Sequence, residues 1–161
     1  MNCDTGYSYA NEEECFGVLE DPCGVLKKPT VNDQMFSVGP VDFGQEQEFL
    51  EDEQIRASAS KLPSILGRLN PGDWSMATYI KPSGVLGTVP EHAVLYLCLM
   101  GDEDVQGSYV DYVLKSQLDS FSLWVKKGHT VFAFRGATVE SGEFGISGDA
   151  IGSARFSGKH M

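Results

Sequence analysis

The sequence is short of positive charge: 12 Lys and Arg stand against 23 Asp and Glu, for a net charge of −11. Wrapped contact with nucleic acid needs clustered cations that displace counterions from phosphate, so this balance argues against such a role. An acidic surface either keeps a chain soluble or repels a passing polyanion, and composition alone does not choose between the two. Long apolar runs are also missing. No stretch approaches the roughly 18 residues of a membrane span, and the start, MNCDTGYSYANEEEC, has neither the basic residues nor the apolar segment of a secretory signal, so the chain is expected to be made and kept soluble. Cysteine is sparse and unpaired in spacing: Cys3, Cys15, Cys23 and Cys98 contain no CxxC, which removes the zinc-site and thioredoxin patterns and leaves free thiols as the expectation.

Catalytic patterns are absent as well. Nucleophilic catalysis requires a nucleophile beside a positioned base, yet His92, His129 and His160 stand in no recognisable motif and are expected to be exposed and without a role. The carboxylates Glu46, Glu48, Glu51, Asp52 and Glu53 lack the glycine-centred spacing of a calcium loop and read as a solvated acidic face. Glycines 142, 145 and 148 do not make a phosphate loop, because no helix follows to present its N-terminus. These absences predict a protein that is not an enzyme, with no metal and no cofactor.

What is present is a dense run of strand patterns. Residues 1–33 mix an acidic run with turn dipeptides and read as an N-terminal arm, ahead of a domain spanning 34–161. A first strand is expected over 34–41, ended by Gly39-Pro40. Residues 42–73 form a long, acidic connection that carries too many apolar residues for a solvated loop, namely Phe49, Leu50, Ile55, Leu62, Ile65 and Leu66. In 74–81 the alternation of Trp74, Met76, Thr78 and Ile80 against Ser75, Ala77, Tyr79 and Lys81 has the period of two of a strand. Pro90 opens a helix over 90–100 that Gly101 stops, apolar almost all round and therefore packed under or between sheets. Strands then follow at 108–115, 120–126, 130–135, 137–141, 143–147 and 151–157, with 130–135 apolar on both faces and so predicted to be central. The fold class is mainly β, a sandwich or barrel with one flanking helix. Trp124 is expected in the core or at a subunit contact, because a sheet this rich in strands must close, cover its edges or pair with another copy.

Several blocks resemble one family. The order of an acidic segment, Ile55-Arg56-Ala57-Ser58-Ala59-Ser60, Ile65-Leu66-Gly67-Arg68 and Trp74-Ser75-Met76-Ala77-Thr78-Tyr79-Ile80-Lys81-Pro82-Ser83-Gly84 is similar to the major tail tube proteins of long-tailed, siphovirus-type bacteriophages. Gly87-Thr88-Val89-Pro90-Glu91 before the helix, Ser120-Phe121-Ser122-Leu123-Trp124, Phe134-Arg135-Gly136-Ala137-Thr138-Val139 and Ala154-Arg155-Phe156-Ser157-Gly158 agree in order and spacing, so the resemblance spans residues 34–158. It implies a virion subunit assembled in the host bacterial cytoplasm, which forms a homo-oligomer of stacked hexameric rings. Subunit strands would join into an inner barrel around a DNA channel, in contact with other tail proteins and with no membrane anchor. It implies that an acidic lumen lets DNA slide, and that residues 42–73 serve contacts between subunits or rings, with Phe49, Leu50, Ile55, Arg56, Leu62, Ile65 and Trp124 as the contact candidates. The segment before residue 34 matches nothing in that pattern. Another ring-forming tail component or secretion tube, a monomeric ligand-binding β-barrel and a hydrolase are the readings left open beside it.

Overall fold

Residues that alternate apolar and polar, punctuated by glycine and proline, give strands wherever one face can be buried. The computed structural model describes residues 13–50, 65–149 and 151–161, and among these it forms twelve strands and one α-helix. The first sheet contains β1 (Glu13–Leu19), β2 (Gln34–Met35), β9 (Phe121–Lys127) and β10 (Thr130–Ala137), in the order β10-β9-β1-β2. The second contains β3 (Asp42–Gly44), β6 (Gly72–Tyr79), β11 (Ser141–Gly145) and β12 (Ser153–His160), in the order β11-β12-β6-β3. Two-stranded ladders pair β4 (Gln47–Leu50) with β5 (Ile65–Leu69) and β7 (Gly101–Val105) with β8 (Val110–Leu114), and every pairing is antiparallel.

The two four-stranded sheets face each other across one core. Trp74, Met76 and Thr78 of β6 and Ala154 and Phe156 of β12 point inward, against Phe121, Leu123 and Val125 of β9. The Trp74 and Phe121 rings meet edge to face at 5.5 Å, the geometry their quadrupoles favour. Burying each of these side chains contributes about 1.5–3 kcal/mol. Helix α1 (Ala93–Met100) plugs one opening with Leu95 and Cys98. It ends at Gly101, whose φ of 100° lets its N–H bond the Leu97 carbonyl, a geometry a side chain would resist.

The sandwich is closed at two corners. Near the end of β10 the chain bends at Gly136 and then crosses to the second sheet, where the Thr138 and Glu140 N–H groups donate to Lys159 and Ser157 carbonyls at 2.9 Å each and lead into β11. Trp74 Nε1 donates to the Thr138 carbonyl at 3.1 Å, and a Cβ on Gly158 would overlap that same oxygen, so glycine is required there. At the other corner the Val38 N–H donates to the Ala77 carbonyl at 2.7 Å.

The mainly β class, the inward face of residues 74–78, the helix and its glycine stop agree with the sequence reading. Other expectations are corrected. Residues 13–19 are no arm: β1 sits inside the first sheet between β9 and β2, and Cys15 is buried in the core. The strand expected over 34–41 shrinks to Gln34–Met35, because beyond Met35 the chain leaves β1 for β6, where the Phe36 carbonyl accepts from Thr78 Oγ1 and the Val38 N–H donates to the Ala77 carbonyl. In the connection 42–73 the described parts are strands and not loop, β3 pairing with β6 and β4 with β5, while residues 51–64 lie outside the described residues. Strand β10 is an edge strand, not a central one; Phe132 and Phe134 are half-buried against Phe43 while Val131 and Ala133 are exposed, so apolar residues on both faces marked an edge. Residues 138–140 form the corner in place of a separate strand over 137–141. The last two strands run at 141–145 and 153–160, shifted from the expected 143–147 and 151–157, and β7, with the polar sequence Gly-Asp-Glu-Asp-Val, was not anticipated. His92 and His160 are buried at 1% exposure, contrary to expectation, and only His129 of the three is exposed.

Candidate functional site

Buried polar groups are the first place to seek chemistry, and here each braces the fold. Glu20, 3% exposed, accepts from the Gly24 N–H at 2.6 Å and Ser120 Oγ at 2.6 Å on one oxygen, and from Ser122 Oγ at 2.8 Å and the Gly136 N–H at 2.9 Å on the other. Loss of water would raise its pKa, but these four donors outweigh that and hold it below the usual carboxylate range. Both oxygens accept two hydrogen bonds each from within the chain, so the carboxylate acts as a tie. His92 Nε2 lies 2.7 Å from Thr78 Oγ1 and 3.0 Å from the Phe36 carbonyl, and burial lowers its pKa toward the neutral imidazole. It fastens the start of α1 to β6. The His160 ring packs 4.3 Å from Phe134, and neither of its nitrogens finds a partner among the described residues. Cys15 and Cys98 are free thiols that burial pushes up to about 12, far from a reactive thiolate. Among the described residues no three His, Cys, Asp or Glu side chains converge as a metal would require, and no helix is long and apolar enough to cross a membrane.

The surfaces hold more information. On the second sheet the residues facing away from the core are small and polar: Ser75 and Ala77 on β6, Ser153, Arg155 and Ser157 on β12, Ser141 and Glu143 on β11. No other described element covers this face, and Tyr79 is its one large ring. Three carboxylates, Asp42, Asp73 and Glu143, offset two cations, Arg155 and Lys159, with Lys159 paired to Asp73. The sheet's two outer strands, β11 and β3, each pair on one side alone among the described residues. The register fixes their directions. β6 and β11 run one way and β12 and β3 the other, so the two free edges are antiparallel to each other.

Two features sit at opposite ends of this sheet. At the Gly44/Gly72 end the β3–β6 ladder continues into β4–β5 through Gln45 Nε2 to the Asn70 carbonyl at 2.9 Å and the Asn70 N–H to the Glu46 carbonyl at 3.3 Å. Beyond that point the ribbon makes no more than marginal contact with any other described element. At the Tyr79/Ser153 end lies an open apolar groove of about 620 Å³, between residues 80–90 and the β7–β8 ladder, lined by Pro82, Val85, Leu86, Tyr96, Tyr109 and Tyr112. Leu86 is 79% exposed, and in the β11–β12 turn Ile146 and Ile151 are exposed as well.

Of the contact residues expected from sequence, Phe49, Leu50 and Ile65 lie in the β4–β5 ladder, whereas Ile55, Arg56 and Leu62 lie outside the described residues. Trp124 is half-buried and donates from Nε1 to the Lys27 carbonyl at 2.8 Å, so the chain itself covers part of it. Sequence reasoning missed the groove; its signal was the run Val85-Leu86 in a glycine-bounded turn, where apolar residues have nothing local to pack against.

No family model and no curated protein matches the chain. Among solved structures it is similar to a chain in the cryo-EM structure of an extracellular contractile injection system, the PVC sheath-tube complex in its extended state, with a TM-score of 0.52. That likeness covers 98% of this chain and 90% of the other at 6% identity, which shows a shared fold and nothing finer.

Proposed function

We propose that the protein is a structural subunit that repeats around a ring, and that stacked hexameric rings of it form the tail tube of a long-tailed phage through which DNA is delivered. The observation that carries this reading is the second sheet. Because its free edges β11 and β3 run in opposite directions, copies related by rotation alone can join edge to edge and stay antiparallel throughout, with four strands from each copy. Such a heterologous contact closes into a ring and removes the sheet edges that a lone subunit would leave open. The small, polar outer face then turns toward the channel, offering a passing strand neither an apolar ledge nor a cluster of cations. The net charge of −11 and the fold shared with a chain of a sheath-tube complex support the same reading. The number six and the phage context rest on the sequence resemblance. That printed complex also favours a second reading, a tube of an injection system, which differs in the cargo and not in the subunit geometry. Nothing in either reading calls for catalysis.

Negative-stain microscopy of the purified protein at high concentration tests the proposal. Rings or tubes with a central channel are expected, and a chain that stays strictly monomeric would sink it.

A further inference from the structure

We infer that His92 is a pH-sensitive latch: protonation of its imidazole in acid releases residues 36–38 from β6 and, resting on the ring reading, opens the sheet edge through which copies join. The edge that β3 offers a neighbour is short. It covers β6 only from Asp73 to Ser75, whereas the β11 edge it would meet is five residues long. Residues 36–38 lie next along β6, with the Val38 N–H donating to the Ala77 carbonyl at 2.7 Å, and they supply the rest of that edge. They form no ladder of their own, so side chains must hold them in place.

The hold is a small buried cluster. Thr78 Oγ1 donates to the Phe36 carbonyl at 2.9 Å, and His92 Nε2 lies 2.7 Å from that hydroxyl and 3.0 Å from the same carbonyl. With the hydroxyl proton turned toward the carbonyl, Nε2 must carry the imidazole proton to face two oxygens, which leaves Nδ1 bare in the neutral ring. Acid adds a proton at Nδ1 and creates a cation at a position only 1% exposed. The charged groups that act on it are Glu91, on the same turn, and Lys81, just past β6; they pair with each other at 3.6 Å, and Lys81 Nζ also stands 5.6 Å from the centre of the Phe36 ring. Burial opposes the charged ring most, with Lys81 and the positive end of the α1 dipole on the same side; the Phe36 carbonyl and Glu91 favour it but do not prevail. The imidazole therefore charges by turning out to water. That movement withdraws the Nε2 donor and leaves one hydroxyl bond and one backbone bond on residues 36–38.

Hydrogen exchange at the Val38 amide reads the latch in the single chain, with no ring required. The opened chain carries an imidazole with the ordinary pKa of 6.5 and the closed chain a neutral one, so the opened fraction should rise about tenfold between about pH 7.5 and about pH 5.5, after correction for intrinsic exchange. The Leu123 amide in β9 should stay protected throughout, which marks the opening as local. His92→Gln keeps a donor near the Nε2 position and does not titrate, so its Val38 protection should be flat over the same range. Rings formed at neutral pH should come apart as the pH falls through the midpoint of Val38 opening and re-form on return, while those of His92→Gln persist. Val38 protection that does not change with pH, or changes equally in His92→Gln, would overturn the latch. Should that variant fail to fold, the Cε1 proton resonance of His92 in the unaltered chain takes its place: His92 must charge at the pH at which Val38 loses protection, and a mismatch overturns the inference as firmly. Rings that persist while Val38 opens would refute the link from latch to joint. A chain that forms no rings at neutral pH sinks the tube reading instead, and Val38 exchange still decides the latch.

Discussion

The two four-stranded sheets share a core but treat their outer faces differently. On the first, Phe16, Val18 and Trp124 face outward and are half-buried, and the chain lays residues 25–30 over them, with the Lys27 N–H donating to Ser122 Oγ at 2.9 Å and its carbonyl accepting from Trp124 Nε1. On the second, the outward residues are serines, an alanine, scattered charges and the single ring of Tyr79, and no described element crosses them. Side-chain size accounts for the contrast: large rings lose free energy in water in proportion to the area they leave exposed, whereas serine loses almost none. The second sheet's face can therefore stay open to water or to a cargo without weakening the subunit. What the comparison teaches is where to look for function, on the face the chain leaves bare and at the edges beside it.

The largest expected effect comes from breaking the cover. Glu20 joins the Gly24 turn, the start of β9 and the Gly136 bend, so Glu20→Ala would strip the acceptor from four donors at once. Hydrogen bonds to a charged group contribute about 1.5–3 kcal/mol and do not add fully, so a loss of about 3 kcal/mol in urea unfolding is expected. Trp124 fluorescence should shift to the red as its cover loosens. An unfolding curve within about 0.5 kcal/mol of the unaltered protein would show that the tie is not what holds that segment down.

Acid should act on the same tie more gently. Four groups have depressed folded pKa values, the buried Glu20, His92 and His160 and the exposed Asp102, and such groups give stability that is present at high pH and lost as pH falls. Burial disfavours the charged form of His92, so its contribution begins to fade below the unfolded value of 6.5. Desolvation raises Glu20, four donors lower it further than that, and its contribution fades below 4.5. The midpoint of thermal unfolding should decline in two stages on this scale. Glu20→Ala should remove the lower stage and leave the upper one, and an unchanged profile would separate Glu20 from acid sensitivity.

How much of this was legible beforehand depends on whether a residue's partner lies nearby in sequence. Period-two alternation fixed the inward face of residues 74–78, and Pro90 and Gly101 bracketed the helix, because those signals are local. β1 was hidden, since Glu13, Glu14 and Gly17 dilute its apolar content and its full-length ladder is with β9, more than 100 residues away, with a short one to β2 on its other side. The buried histidines were misread for the same reason: His92 finds Thr78 and Phe36, and His160 finds Phe134, only in the folded chain. Edge or centre cannot be told from the apolar content of residues 130–135, because an edge strand can carry apolar residues on a face it leaves exposed, as at Val131 and Ala133. Of the candidate surfaces, the ribbon was foreshadowed by stranded apolar residues, whereas the bare face required knowing which residues of four strands align.

The finest test compares one chemical change on both sheets. Ser122 and Ser157 both point away from the core from strands of their respective sheets, and replacing either with alanine deletes a single hydroxyl. Ser122 is fully buried and donates to Glu20 at 2.8 Å while accepting from the Lys27 N–H, so Ser122→Ala leaves a buried charge short of a donor and a covering amide short of an acceptor. A loss of about 1.5 kcal/mol is expected there. Ser157 meets only Ser141 Oγ, at 2.9 Å on the open face, where water replaces what is lost, and Ser157→Ala should change stability by less than about 0.5 kcal/mol. Urea unfolding of the two variants measures the difference directly. Equal losses would mean that the open face is braced as tightly as the covered one, and the bare face would then lose its claim to be the surface left free for a channel.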